Sequence, residues 1–425
     1  MVINHDNETL IDVDSAVEKV LDNVDELGFE TKKLLHALNY VCYQDVIGTI
    51  NVPPVNNSAM DGYAVKSRDV KQASVHNPID LEVVGIISAG QIQSTKVIDN
   101  SAVRIMTGAS IPEGADAVIP FEDTTDVEED RVSLKNKVIR INKPVKYWNN
   151  IRDAGEDVKK GDVLITKGKL VSAADIGVLA SQGLNKVKVV KRPKVAILAT
   201  GNELLSPGEV FERGKIYDSN TQAIAAAVIE AGGIPNILGI AQDDYNSLSR
   251  KIELASSSDL IITSAGVSKG DYDIVKNFIS DRGEIQFWSV KMRPAKPIAF
   301  GWIKTNGDIK VPIIGLPGNP VSAMIAFEKF GRPAIYKMRG IYDFSRFVLQ
   351  AILHDEINNY DRRRVYARGI VTKKGEDYHV SLTGSQQSNL LTSMAKANGL
   401  VVCPDDVSRL EMGSLVRVEM INWTG

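Results

Sequence analysis

The stretch KVAILAT, residues 194–200, begins the part of the chain whose rhythm decides the fold. It reads as a strand, and NTQAIAAAVIEAGG, starting at Asn220, reads as a helix ending in glycine. IPNILGIA is the next strand, DDYNSLSRKIELASSS a helix and DLIITS a further strand. DYDIVKNFISDRG, starting at Asp271, is again a helix, and EIQFWSVK a strand. Strands separated by helices of this length predict parallel pairing with right-handed crossovers. The segment PIAFGWIKTNGDIKVPIIG reads as a hairpin turning at Asn306-Gly307. It is followed by the helix PVSAMIAFEKFGRPAI, with Pro320 in its first turn.

The texture differs on either side of this unit. Residues 12–48 carry apolar residues at helical spacing in VDSAVEKVLDNV and ETKKLLHALNYVCY, with Asp14 or Thr31 as N-caps. From about residue 50 to 145, short alternating runs broken by Gly, Pro and Asn predict a β-rich module. Residues 146–190 read as a return segment of turns, strands and one short helix, packing back on the N-terminal helices. From about residue 340, RVYARGIVT, YHVSLTG, GLVVCP and SLVRVEMI predict a small C-terminal β-domain. The fold class is therefore multidomain, with α/β and β parts.

Composition narrows the function classes. A chain of 425 residues exceeds one ordinary core, and 44 % apolar with 24 % charged residues is a globular balance. A net charge of −3 argues against an overall nucleic-acid binder while leaving room for a local basic pocket. Cys42 and Cys403 match no zinc motif or disulfide framework and suit a reducing cytoplasm. Neither a secretory leader nor a long uncharged apolar run is visible, so the expectation is a cytoplasmic protein without nucleic-acid or membrane partners.

In an open parallel sheet, ligands bind outside the carboxyl ends of the strands. Four stretches fall there: TGNEL, with Glu203; QDD, with Asp243 and Asp244; SAGVSKGDYD, with Ser264, Ser268, Asp271 and Asp273; and GLPGNPVS, with Pro317, Pro320 and Ser322. Each has a plain alternative. Glu203 can be a solvated loop carboxylate, and one of Asp243 and Asp244 an N-cap, although a pair exceeds what capping needs. Asp271 and Asp273 suit a helix dipole without any ligand, and GNPVS can be an ordinary capped helix start. The functional reading has the serines, turn amides and helix starts binding an anion. Between the last two stretches lies KMRPAKP, residues 291–297, extended because of Pro294 and Pro297. Its Lys291, Arg293 and Lys296 are either a solvated basic edge or the oxyanion-binding half of a phosphate site. NSAMDGYA, with Asp61, and RIMTGASIP, with Thr107, read singly as structural turns.

Taken together, NSAMDGYA, RIMTGASIP, GADAVIP, RDAGEDV, TGNEL, GVSKGDYD, RPAKPIAFG and GLPGNPVSA occur in the order seen in the molybdopterin molybdenumtransferases, the MoeA/gephyrin E-domain family. The chain resembles that family from about residue 10 to 420. The resemblance implies an elongated homodimer of four-domain subunits. Residues 8–49 and 146–186 would form a discontinuous linker and dimerisation domain, and 50–145 a β-rich insertion. Residues 187–337 would form the molybdopterin-binding α/β domain, with a parallel-rich sheet, and 338–425 a small barrel-like β-domain.

The implied activity belongs to molybdenum cofactor biosynthesis: Mg²⁺-dependent insertion of molybdate into adenylylated molybdopterin, with release of AMP. By resemblance Asp61, Thr107, Asp157, Glu203, Asp243 and Asp273 are catalytic, with Glu203, Asp243 and Asp273 around Mg²⁺. Ser264, Ser268, Asp271, Arg293, Lys296, Pro317, Pro320, Ser322, Arg364 and Ser388 would bind substrate. Asp61 and Thr107 would reach the site from the partner subunit, and other cofactor-biosynthesis proteins are further candidate partners. The implied mechanism is electrostatic and needs no nucleophilic side chain. Three residues depart from the family pattern: Ala265 for glycine before Val-Ser, Ala295 for glycine in the basic stretch, and Ser289 where some relatives carry a lysine. Where such a position requires positive φ, the methyl group costs about 1 kcal/mol and crowds the ligand. The competing activities are adenylylation of molybdopterin with ATP, a non-catalytic pterin- or peptide-binding scaffold, and a tungstate-preferring insertase.

Overall fold

The computed structural model describes residues 10–90, 95–125, 137–266, 274–305 and 309–421. The chain divides into two units, one formed by Met1–Thr31 and Lys188–Gly425, the other by Lys32–Val187.

The first element, helix α1 (Val13–Asp22), is capped by Asp12, whose carboxylate accepts from Ser15 N at 2.9 Å. Asp14, expected as the cap, lies in the first turn and is released for another partner. The second expected N-terminal helix does not form: Phe29–Lys33 is a strand and Leu34–Ala37 a single 3₁₀ turn. The helical spacing of the leucines meets no core, since Leu35 is 79 % exposed and Leu38 is exposed too, while Ala37, Val41 and Cys42 are buried. Backbone pairing takes over beyond it, with Cys42 N donating to Lys169 O at 2.8 Å and Val171 N to Tyr40 O at 2.9 Å.

The Lys32–Val187 unit is built on a five-stranded sheet. Its strands are β1 (Gly62–Val65), β2 (Ile79–Ile87), β3 (Ser101–Ile105), β4 (Ala117–Pro120) and β5 (Lys137–Ile141), in the order β4-β1-β3-β2-β5. Only β2 and β3 run parallel. The return segment carries helix α2 (Ala173–Ser181), opened by a capping box between Ser172 and Asp175.

The other unit holds the predicted strand–helix alternation. In chain order its elements are β6 (Lys194–Thr200), α3 (Ser219–Glu230), β7 (Ile234–Ala241), α4 (Tyr245–Glu253), β8 (Leu260–Ser264), α5 (Ile274–Arg282) and β9 (Gly283–Ser289). There follow β10 (Met292–Arg293), β11 (Pro297–Lys304), β12 (Lys310–Leu316), α6 (Pro320–Ala326) and α7 (Arg332–Met338). The sheet order is β7-β6-β8-β12-β11-β9, with β7, β6, β8 and β12 mutually parallel and β11 antiparallel to both its neighbours. The hairpin between β11 and β12 is present, and its Asn306-Gly307 turn lies outside the described residues.

Both faces of the sheet are covered. Val195 and Ile197 of β6 join one core with Ile224 and Val228 of α3, Val321 of α6 and Ile335 of α7. The alternate residues Ala196 and Leu198 join a second core with Leu248 of α4 and Phe278 of α5. Two-sided burial explains why β6 and β8 read as continuous apolar runs. Helix α6 continues into α7 through a wide π turn, Phe327–Gly331, so the expected single helix is one rod with an irregular middle. The apolar face of α1 packs on the same core through Val13, Ala16 and Val20.

The C-terminal strands are β13 (Val348–Leu353), β14 (Arg364–Lys374), β15 (Asp377–Leu382), β16 (Gly399–Cys403) and β17 (Leu415–Met420). They close a barrel in the order β14-β15-β13-β17-β16, with β16 pairing back to β14. Closure leaves no free edge within the ring, but β14 also takes β10 as a parallel partner at its first residues. The basic KMR segment is thereby bonded to the barrel.

Candidate functional site

The loop after β6 and the loop after β7 are joined first. Asn202 N donates to Asp243 Oδ2 at 3.1 Å, and Asp243 N donates to Asn202 Oδ1 at 3.3 Å. The adjacent aspartates divide their work: Asp244 caps α4, accepting from Ser247 N at 2.8 Å, and Asp243 makes no capping bond. Glu203 folds back over Gly201, where an added Cβ would fall 2.7 and 2.8 Å from its two carboxylate oxygens. Two carboxylates therefore converge on one short loop. Asp273, the third expected member, lies outside the described residues, as do Ser268 and Asp271. No cluster of three or more metal-ligating side chains occurs among the described residues.

Asn220 ties the other two strand ends. Asp218 caps α3 through Thr221 N at 3.0 Å, which leaves Asn220 free in the first turn. Its amide nitrogen donates to Ser264 Oγ and to Gly318 O, both at 2.8 Å. Gly266 has φ +74°, and a Cβ there would meet Thr200 Oγ1 at 3.0 Å and Val275 at 2.7 Å. The Thr200 hydroxyl is buried and has no partner among the described residues, nor have those of Thr221 and Thr263. Buried hydroxyls left unpaired at strand ends are groups a bound ligand or water would satisfy.

Ala265 and Ala295 both adopt left-handed backbone, with φ of +73° and +75°. Both positions thus have the backbone that glycine accepts without strain, and each methyl group is held at a cost of about 1–2 kcal/mol. Ala265 faces Gly318, where an added Cβ would stand 3.3 Å from its own.

The start of α6 is not an ordinary capped one. Asn319 occupies the N-cap position without a side-chain capping bond, and Pro320 follows at the first helical position. Val321 N instead donates to Ser388 O of the barrel at 3.1 Å. Ser388 is therefore brought to the helix start, next to the buried Ser322. Pro317 is buried beneath the turn and Pro320 is half-buried.

In the basic segment, Lys291 pairs with Asp405 at 2.9 Å. Arg293 donates through Nη2 to Asn358 O at 2.6 Å and stands 3.6 Å from Asp361. Burial works against the Asp361 charge, yet Arg363 and Arg293 hold its carboxyl below the usual carboxylate range. Arg364 is turned away from this group: its Nη1 and Nη2 donate to the two carboxylate oxygens of Asp14 at 2.7 and 2.8 Å.

Arg293 lines a cavity of about 360 Å³ together with Asn358, Tyr366, Arg368, Gln386 and Gln387. Arg368 is fully buried, and burial pulls its pKa below the usual arginine value. Its guanidinium donates to Ser393 Oγ and to the backbone carbonyls of Ser385, Gln386 and Gln387. No carboxylate among the described residues pairs with it, so it adds net positive charge to the cavity wall. It also fixes the loop that carries Ser388 to α6. Asn202, Asn220 and Arg368 were not singled out by sequence reasoning. The available signals were a sufficient cap at Asp218 for Asn220, and the i, i+4 spacing that puts Arg368 on the same strand face as Arg364.

In the other unit, Asp61 Oδ1 accepts from both Thr107 N at 2.6 Å and Thr107 Oγ1 at 2.7 Å. These bonds hold the Asp61 carboxyl below the usual carboxylate range, with both residues exposed. Two turns that read singly as structural are thus one carboxylate–hydroxyl pair. Asp157 lines a separate cavity of about 490 Å³ with Asn57, Arg152 and Glu156.

A doubly covered, largely parallel sheet with polar groups gathered at its strand ends, joined to a closed barrel, defines a multidomain α/β protein. Three family models match in order: the MoeA N-terminal region (domains I and II) over residues 11–183, the "probable molybdopterin binding domain" over 196–337, and the MoeA C-terminal region (domain IV) over 350–421. A molybdopterin molybdenumtransferase of Haemophilus influenzae is 34 % identical over 421 residues, covering 97 % of this chain and 99 % of the relative. That of Staphylococcus aureus strain COL is 33 % identical, covering 96 % and 95 %. The crystal structure of a molybdopterin biosynthesis MoeA protein from Pyrococcus horikoshii superposes with a TM-score of 0.83 at 31 % identity, covering 97 % of this chain and 99 % of that one. The chain belongs to the MoeA family of molybdopterin molybdenumtransferases.

Proposed function

We propose that this chain is a transferase of molybdenum cofactor biosynthesis that inserts molybdate into adenylylated molybdopterin and releases AMP. The observation that carries the reading is the Asn220 amide, which gathers Ser264 and Gly318 into one crevice beside buried hydroxyls without partners among the described residues. The pterin phosphates lie in this crevice, against Ser264, Ser268, Asp271, Pro317 and Pro320. Arg293, Lys296, Ser322 and Ser388 receive molybdate and the developing charge on AMP, with Arg368 behind them as a buried cation. A preorganised cationic wall lets two anions meet where water alone would leave them repelling each other.

Glu203 and Asp243, with Asp273, are the residues we assign to Mg²⁺. The donor set fits, because carboxylate oxygens are what a small hard cation takes, and Asp243 uses only Oδ2 for Asn202. When bound, Mg²⁺ polarises the phosphoanhydride. The residues themselves position and neutralise; none is required as a nucleophile. Asp61 and Thr107 are assigned to a composite site completed in a homodimer, and Asp157 to its catalytic carboxylates. The pre-oriented Asp61 carboxylate, held by Thr107, supports that role. The division into domains 8–49 with 146–186, 50–145, 187–337 and 338–425 belongs to the same proposal, as does a cytoplasmic location. No helix among the described residues is long and apolar enough to cross a membrane.

The test is incubation with adenylylated molybdopterin, molybdate and Mg²⁺, following AMP. Release that requires molybdate and stops with a chelator supports the reading. Turnover only with ATP and free molybdopterin would assign the chain to the preceding step instead.

A further inference from the structure

The basic segment is the middle strand of a three-stranded arrangement whose outer members are far apart in sequence. On one side, Ile11 N donates to Ser289 O at 3.2 Å and Lys291 N donates to Ile11 O at 2.8 Å. On the other side, Arg364 N donates to Lys291 O at 3.0 Å, and Met292 and Arg293 pair with Arg364 and Val365. Lys291 is thus bonded through its backbone to both Ile11 and Arg364. The same two neighbours are joined again by side chains. Asp14, three residues after Ile11, accepts both terminal nitrogens of Arg364. The result is a closed ring of interactions around the backbone that presents Arg293 and Lys296.

Asp14 does not cap its helix, because Asp12 already caps α1, and it sits in the first turn where a carboxylate suits the helix dipole. The Arg364 bonds hold the Asp14 carboxyl below the usual carboxylate range, with its side chain still 71 % exposed. An exposed single-point ion pair contributes little, but a bidentate arginine–carboxylate pair fixes direction as well as distance. Here the direction fixed is that of β14 relative to the N-terminal arm, and the strand between them has only a few backbone bonds of its own.

We propose that Asp14 and Arg364 form a clasp that sets the placement of the basic segment, which makes both of them positioning residues for the oxyanion site. The inference rests on the assignment of Arg293 and Lys296 to oxyanion binding. In the clasp the Arg364 guanidinium, expected at the substrate, is bonded to Asp14 instead. Opening it therefore misplaces the binding groups without removing any of them.

The test uses the full chain with Asp14→Asn and with the charge-swapped pair Asp14→Arg/Arg364→Asp. Asp14→Asn is expected to raise KM for molybdate about 5–20-fold while kcat falls less than about threefold, because misplacement acts on binding first. The swapped pair recovers most of that loss. Hydrogen exchange at the Lys291 and Arg364 amides is expected to quicken roughly tenfold in Asp14→Asn, with amides of β6 unchanged. Unaltered exchange at both amides overturns the clasp, whatever the enzyme does. Quickened exchange with an unaltered KM overturns its positioning role. If the wild-type chain releases no AMP, the functional reading fails separately, and the exchange result still decides whether the clasp exists.

Discussion

Asn202 and Asp243 hold each other across the mouths of two neighbouring strands, each backbone N–H donating to the other's side chain at 3.1 and 3.3 Å. The exchange leaves one oxygen of Asp243 outside it and points the carboxylate at the loop carrying Glu203. Asp244, its neighbour, is occupied in capping α4. Two adjacent aspartates thus have separable roles.

The separation is measurable. Asp243→Asn keeps an acceptor for Asn202 N and is expected to leave the melting temperature nearly unchanged, while shifting half-saturation by Mg²⁺ about tenfold or more. Asp244→Ala is expected to cost about 1 kcal/mol of stability through the lost cap, with Mg²⁺ dependence unchanged. Titrating AMP release with Mg²⁺ beside thermal melts checks both.

The two left-handed alanines give a steric prediction. Ala265→Gly removes a strain of about 1–2 kcal/mol and gives back about 0.5–1 kcal/mol in chain entropy, so the variant should be up to about 1.5 kcal/mol more stable. Gly318→Ala places a methyl group 3.3 Å from the Ala265 Cβ and should destabilise. In the Ala265→Gly background the same change should be close to neutral. Additive melting shifts in the double mutant would show that the two residues do not touch.

Arg368 is expected to matter through geometry as much as charge. Arg368→Lys keeps a cation but cannot reach three carbonyls and Ser393 Oγ together, so the loop bearing Ser388 should loosen. A fall in kcat/KM of about 10–100-fold is expected, with faster hydrogen exchange at Val321 N, the donor to Ser388 O. Steady-state kinetics and exchange on the variant test the two halves together.

Acid stability should depend on a buried charge cluster at the π turn. Burial disfavours the Glu328 charge, but Arg332 and Arg346 outweigh it and hold the carboxyl below its usual range. Arg332 donates to both of its oxygens at 2.8 and 2.7 Å. A carboxyl whose folded pKa is depressed contributes its full stability above the unfolded value, about 4, and loses it as pH falls through the folded value. Glu328→Gln should lower stability at pH 7 by about 3–5 kcal/mol and flatten its decline below about pH 4. Urea unfolding across pH 2–8 on both chains would show it.

Much of the fold was legible because its signals are local. KVAILAT, IPNILGIA and DLIITS became parallel strands, and burial on both faces explains the uniform apolarity of KVAILAT and DLIITS, whereas IPNILGIA is a half-exposed edge strand. The segment from Thr31 to Tyr43 misled because helical spacing of leucines says nothing about whether a core waits to receive them. Its backbone pairs with residues 169–171 instead. The site was legible as four strand ends but not as a connected whole. Asn220 acts across gaps of 44 and 98 residues, and Arg368 through backbone carbonyls that no side-chain motif records. Arg364 shows the converse, an arginine within a suggestive stretch whose partner is Asp14, 350 residues away.

The central claim is tested most directly by one stoichiometric measurement. The purified chain is mixed with adenylylated molybdopterin, Mg²⁺ and a range of molybdate concentrations, and AMP released is compared with molybdenum bound to the pterin. Our account predicts one AMP for each molybdenum inserted, with no requirement for ATP. AMP release that is indifferent to molybdate, or pterin binding with no AMP at any molybdate concentration, would contradict it.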